Sequence, residues 1–191
     1  MEIIIAEIAS LSLSSKNPAT LAELLAAGKK LPPEATSLLM QDHAEVEAMF
    51  RQYDVEDDPD ERMVLANKIC SALTVHAQIE EEIFYPAFLK ATQDADLHHE
   101  AAIEHNGAKR LIADIESMTS DDYFDARVTV LSEMIKHHVK EEEKPREGMF
   151  AKARKSDMDL VGIGAQLEIR KGELEGNETM TGKARKFFEA A

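Results

Sequence analysis

Four of the seven histidines in this chain, His43, His76, His105 and His138, recur with glutamates in a spacing that suits metal coordination. His76 precedes Glu80 by four residues, and His138 precedes Glu142 by four. On a helix that separation is one turn, so imidazole and carboxylate point the same way and could bind one cation or two adjacent ones. His43 and His105, His76 and His138, and Glu80 and Glu142 each lie 62 residues apart. Neighbours agree in kind at that offset: Leu73 with Ile135, Met49 with Leu111, Phe50 with Ile112, Glu81 with Glu143. Two His-His-Glu sets related by a pseudo-twofold axis suit two metals, with the carboxylates bridging between them.

The elements that must carry these residues are helices. Gly (8) and Pro (6) are sparse, and no stretch alternates with period 2 for long. A first short helix is expected over about Ala19 to Ala27, stopped by Gly28 and Pro32-Pro33. Four long helices follow, over about Pro33 to Tyr53, Pro59 to Lys90, Ala95 to Met118 and Asp121 to Lys144. Asp58, Asp94 and Ser120 are the expected N-caps of the last three, and Pro145 must end or kink the fourth. A periodic stretch covers Met158 to Leu174, and a last short helix follows a Gly-Asn-Glu turn. The short connections favour antiparallel neighbours, hence an all-α, up-down-up-down four-helix bundle with short extra helices at both ends. The expected division is an N-terminal extension (1–32), the bundle (33–155) and a C-terminal helical extension (156–191).

In such a bundle the core stripe steps by three and four residues. The second long helix then presents Ala66, Ile69, Leu73, His76, Glu80, Ile83 and Ala87, and the fourth presents Val128, Leu131, Ile135, His138 and Glu142. The first gives Leu39, His43, Val46, Phe50 and Tyr53, and the third gives Ala101, His105, Ala108, Ile112 and Ile115. Every helix donates one histidine to the core, and two donate a carboxylate as well. A buried, unpartnered carboxylate costs several kcal/mol, and two in one core repel each other. A divalent or trivalent cation compensates best.

Composition narrows the partners. With 22 basic and 37 acidic side chains the formal net charge is −15, which repels phosphate backbones and anionic lipid. Neither nucleic acid nor a membrane is an expected partner, and no protein partner is indicated. A single cysteine, Cys70, cannot form an internal disulfide and reads as a small buried apolar residue, which fits the cytoplasm. The opening MEIIIAEIAS lacks the basic and apolar segments of a signal peptide.

Other candidates read more plainly. His98, one heptad before His105, reaches toward the site mouth, whereas His99 faces solvent or caps its helix. His137 and Glu141 repeat the His-x-x-x-Glu spacing on a face rotated by about 100°, but the stripe through Ile135 selects His138 and Glu142. Glu81, Glu82, Glu141 and Glu143 read as a solvated face. Tyr53 and Tyr85 read as core aromatics, with a phenol able to hydrogen-bond a metal ligand.

The pattern H…HxxxE…H…HxxxE, carried by His43, His76-Ala-Gln-Ile-Glu80, His105 and His138-Val-Lys-Glu-Glu142, resembles the HHE cation-binding branch of the hemerythrin family. LLMQDHAEVEAMF and HAQIEEEIFYPAF around the first two histidines share the likeness, which covers about residues 35 to 155. It implies a non-haem di-iron centre: two iron ions (Fe2+/Fe3+) with a bridging oxo or hydroxo group. Glu80 and Glu142 would bridge, His43 and His76 would serve one iron, and His105 and His138 the other. The chain departs from the oxygen carriers of that family at Ala101, one turn before His105. It departs again at Glu142, a Glu four residues after its histidine rather than an Asp five after. The expected ligand is dioxygen, peroxide or nitric oxide. The expected role is oxygen or iron sensing, storage or scavenging; the alternatives are a di-iron redox enzyme consuming peroxide or nitric oxide, and an iron- or oxygen-responsive regulatory module. By residue chemistry alone, zinc or manganese also suits these ligands.

Overall fold

The computed structural model describes residues 33–117 and 123–176. The first short helix, the Ser120 cap and the last short helix expected from the sequence lie outside the described residues. Four helical runs form an up-down-up-down bundle: α1 (Ala35–Val55), α2 (Pro59–Ile79) continuing through a π turn (Glu80–Phe84) into α3 (Tyr85–Thr92), α4 (Ala95–Ser117) and α5 (Phe124–Glu142). Two further helices, α6 (Met149–Lys155) and α7 (Leu160–Leu174), follow the bundle.

The expected start signals operate. The Asp58 carboxylate accepts from the amides of Asp60 and Glu61, with Pro59 pre-set for the first helical turn. Arg62 closes the preceding loop by donating to the Glu56 carbonyl at 3.0 Å. Asp94 accepts from the amide of Leu97 at 3.3 Å, where Gln93, at φ 58°, has just turned the chain.

One expected stripe is corrected. Ile83 and Ala87 are only partly buried, and Phe84, Tyr85 and Phe88 take the core positions instead. The amide of Tyr85 bonds to the Glu80 carbonyl, five residues back, so this turn holds one residue more than an α-helical turn. Pro86 supplies a cause: in a regular helix its ring would press on the carbonyl of Glu82 and its missing N–H would leave that carbonyl unpaired. The wider turn relieves the clash and rotates all that follows by one residue, exchanging a small apolar pair for three aromatic rings.

The core divides into two apolar blocks with the histidines and glutamates between them. One block, with Phe50, Tyr53, Ile69, Leu73, Ile112, Phe124 and Leu131, fills one end of the bundle. The other joins Leu39, Ile79, Phe84, Phe88 and Ala101 to Phe150 of α6 and to Ile163 and Leu167 of α7. α5 ends at Glu142, before Pro145, and the chain folds back at Gly148, where a Cβ would sit 2.5 Å from the Glu142 carbonyl oxygen. α7 lies across α1 and α2. Its close approach is set by Gly164, whose added Cβ would meet the Pro33 carbonyl oxygen at 2.1 Å. Gly164→Ala must therefore push α7 off the start of α1. A loss of about 1–3 kcal/mol is expected from such overpacking, read as a lowered unfolding midpoint; an unchanged midpoint would contradict this packing.

Candidate metal centre

All six residues singled out from the sequence meet in one buried cluster: His43, His76, Glu80, His105, His138 and Glu142 are each 7% exposed or less. They form two groups able to hold an ion, His43, His76, Glu80 and Glu142 on one side and Glu80, His105 and His138 on the other. The Nε2 atoms of His43 and His76 face each other at 3.0 Å, and those of His105 and His138 at 3.2 Å. Each glutamate reaches one histidine of either pair. Glu80 Oε2 lies 3.3 Å from His76 and 3.4 Å from His105, and Glu142 Oε2 lies 3.4 Å from His43 and 3.6 Å from His138. Both carboxylates thus span the two groups.

The outer ring nitrogens decide what the inner ones can do. His43 Nδ1 meets Glu143 at 2.8 Å, His76 Nδ1 meets Asp42 at 3.4 Å, His105 Nδ1 meets Glu81 at 3.0 Å, and His138 Nδ1 meets Glu104 at 2.7 Å. A carboxylate at Nδ1 holds a proton there, so each neutral ring turns its Nε2 lone pair inward. Two lone pairs aimed at one point repel unless a cation lies between them. Two carboxylate oxygens, Glu80 Oε1 and Glu142 Oε2, are likewise buried without a hydrogen-bond partner. Once deprotonated, four inward Nε2 atoms and two unpartnered carboxylate oxygens fit a pair of cations.

These outer carboxylates correct the reading of Glu81 and Glu143 as solvated: both are about one-third exposed or less and each orients a histidine. Sequence reasoning also passed over Asp42 and Glu104. The signal was present, because Asp42 and Glu104, like Glu81 and Glu143, are 62 residues apart and directly adjoin motif residues. Glu82 does face outward, paired with Arg170 at 2.7 Å. His137 is exposed and 3.4 Å from Glu104, outside the ligand groups, and His99 is exposed too. His98 is half-buried and stands edge-on to the Tyr85 ring, 6.2 Å between centroids.

Tyr85, read from the sequence as a core aromatic able to hydrogen-bond a metal ligand, joins the cluster. The π turn points its hydroxyl into the cluster, 3.0 Å from Glu142 and 3.2 Å from Glu80, either of which can accept its single proton. It also lies 3.1 Å from His105 Nε2 and 3.5 Å from His138 Nε2. Burial, then the charges of Glu80 and Glu142, push its ionisation well above the ordinary phenol range. His43 faces a ring instead, stacked on Phe150 at 5.7 Å.

Without a cation, protons take up the compensation. Burial opposes the charged form of His76, but Glu80 and Asp42 outweigh it and raise the imidazolium to about 10. Burial, reinforced by the charge of Glu80, raises Glu142 to about 8. Glu80 shifts the other way: burial opposes its charge, but His76 and His105 hold it well below the usual range. Burial lowers His43, leaving that ring neutral. At pH 7, then, the metal-free cluster carries protons on His76 and Glu142 that an entering cation must displace. Metal titration in buffers of different ionisation heat should show net proton release at pH 7, with apparent affinity rising as pH rises toward 8. Binding with no proton release would contradict this charge pattern.

Comparison with known proteins places this geometry. Residues 34–150 match the family model described as the hemerythrin HHE cation binding domain. A DNA nickase from Nostoc sp. is 30% identical over 107 residues, which are 56% of this chain and 30% of that protein. The chain thus spans under a third of that relative. The crystal structure of a hemerythrin HHE cation binding domain-containing protein, the Rv2633c homologue from Mycobacterium kansasii, superposes with a TM-score of 0.62 at 19% identity. That match covers 83% of this chain and 99% of the other, and shows a shared fold. With the family model spanning well over half its length, and its two His-His-Glu sets folded into one buried cluster, the chain belongs to the hemerythrin HHE cation-binding domain family.

Proposed function

We propose that this protein holds two iron ions through His43, His76, Glu80, His105, His138 and Glu142, and takes up dioxygen or a related small ligand there. The supporting observation is the set of four inward-facing Nε2 atoms, each fixed by a carboxylate at the opposite ring nitrogen. His43 and His76 would serve one ion and His105 and His138 the other, with Glu80 and Glu142 bridging. Iron is favoured by family likeness; imidazole and carboxylate by themselves also suit zinc or manganese. When bound, such a pair supplies redox electrons and open coordination positions to a small ligand.

The chain's own residues shape what could enter. A small cavity is lined by the four histidines, by Val46, Leu73, Ala108, Ile112 and Ile135, and by Asp42 and Lys109. Apolar walls favour a small, weakly hydrated molecule over a hydrated anion. The Tyr85 hydroxyl lies 3.1 Å from His105 Nε2 and 3.5 Å from His138 Nε2, beside that half of the ligand set. It also holds a proton 3.0 Å from Glu142 and 3.2 Å from Glu80. That hydroxyl is the observation favouring the second reading, a redox enzyme that consumes peroxide or nitric oxide with electrons from an external reductant, because reduction of either also takes up protons beside the site. No helix among the described residues is long and apolar enough to cross a membrane.

Two experiments test the proposal. Anaerobically purified protein should carry two irons per chain and change its visible absorption on admission of air; stoichiometric zinc alone, or no metal, would overturn it. His76→Ala and Glu142→Ala should each lower metal content, whereas His99→Ala should not. Tyr85→Phe separates the two readings. Intact ligand uptake with turnover cut by about 100-fold or more, the scale of a lost proton donor, supports the enzyme, and unchanged behaviour supports the binding protein.

A further inference from the structure

The two halves of the centre are matched by the 62-residue offset, but the groups behind them are not. Asp42 and Glu104 occupy equivalent positions and orient the equivalent rings of His76 and His138. Glu104 is one-fifth exposed, and its other partner is the exposed His137 at 3.4 Å. Asp42 is only 6% exposed, and its second oxygen is held by the Lys171 ammonium at 2.5 Å. Lys171 belongs to α7, beyond the residues that match the family model, so this contact comes from outside the bundle.

The division of labour within Asp42 is clear from its atoms. Oδ1 is taken by Lys171 and Oδ2 is left facing His76 Nδ1. The ammonium therefore fixes the rotamer and compensates a charge that burial would otherwise make costly. Without it, Asp42 relieves that cost by turning away from His76 toward water. His76 then loses the acceptor that fixes its ring and raises its donor strength, a change that typically lowers metal affinity 10–100-fold. The ion at the His43–His76 position would feel this loss. The ion at the His105–His138 position would not, since its outer carboxylates, Glu81 and Glu104, pair with Lys109 and His137 instead.

We infer that α7 is part of the metal centre: Lys171 is a positioning residue that holds Asp42 against His76, so retention of the ion at the His43–His76 position depends on a helix outside the bundle. This rests on the two-ion reading above. The docking of α7 supports it, since Gly164 brings the helix against the start of α1 and Arg170 pairs with Glu82 at 2.7 and 3.2 Å.

The test uses the full chain, loaded anaerobically with ferrous iron and challenged with a ferrous chelator. Lys171→Met should speed release of one iron by about 10–100-fold and leave the other unchanged. Glu104→Gln should speed the other one. Asp42→Asn should reproduce Lys171→Met, and combining the two should add nothing further, as expected of residues acting in series. Arg51→Gln, which removes an exposed ion pair with Glu47 within α1, should change neither phase. Helical content and unfolding midpoint, recorded on each variant, separate loss of position from loss of fold. Equal acceleration of both irons, no acceleration, or full additivity with Asp42→Asn would overturn the inference. A wild-type chain that retains no pair of irons would overturn it together with the two-ion reading, before any variant is compared.

Discussion

Everything in this molecule answers to one electrostatic problem: two glutamates and four imidazoles are buried in the same core. Water cannot solvate Glu80, which is fully buried, or Glu142, which is 3% exposed, and their mutual repulsion raises the cost. The structure answers in layers. The four rings turn their Nε2 atoms toward the glutamates, four outer carboxylates hold the rings, and lysines and a further histidine sit behind three of those carboxylates. The centre of such an arrangement calls for positive charge, and apolar blocks at both ends keep water from supplying an alternative.

Much of this was legible in the sequence, for a specific reason. Core stripes are periodic, so a His or Glu at a stripe position is conspicuous, and the common offset tied six such intruders into one site. The caps at Asp58 and Asp94 were equally readable, because a capping carboxylate acts on amides two or three residues away. Local rules sufficed wherever the deciding interaction was local.

What escaped depended on geometry that spacing does not encode. The π turn adds one residue to the register at Glu80, and with it Tyr85 moves from the edge of the stripe to within 3.0 Å of Glu142. Strict steps of three and four cannot anticipate that. Pro86 was the available clue, since a proline six residues after a core carboxylate must disturb the turn it belongs to. The outer carboxylates escaped for a different reason. Glu81 and Glu143 lie on a half-exposed face, and exposure alone suggested solvation. Their role depends on helices packing across the bundle, so that a residue beside one ligand orients the histidine of another helix.

Pseudo-symmetry also explains why the centre need not behave symmetrically. Duplicated halves supply matched ligands, but each half meets a different exterior: α6 stacks Phe150 on His43, and the π turn brings Tyr85 to His105 and His138. A matched inner set with unmatched surroundings gives the two ligand groups different donor strength and different proton donors within reach. Membership of the family fixes the inner set, and many chemistries share it. The differences that select one chemistry must then lie in the residues that break the symmetry, among them Tyr85 from the π turn and Phe150 from beyond the bundle.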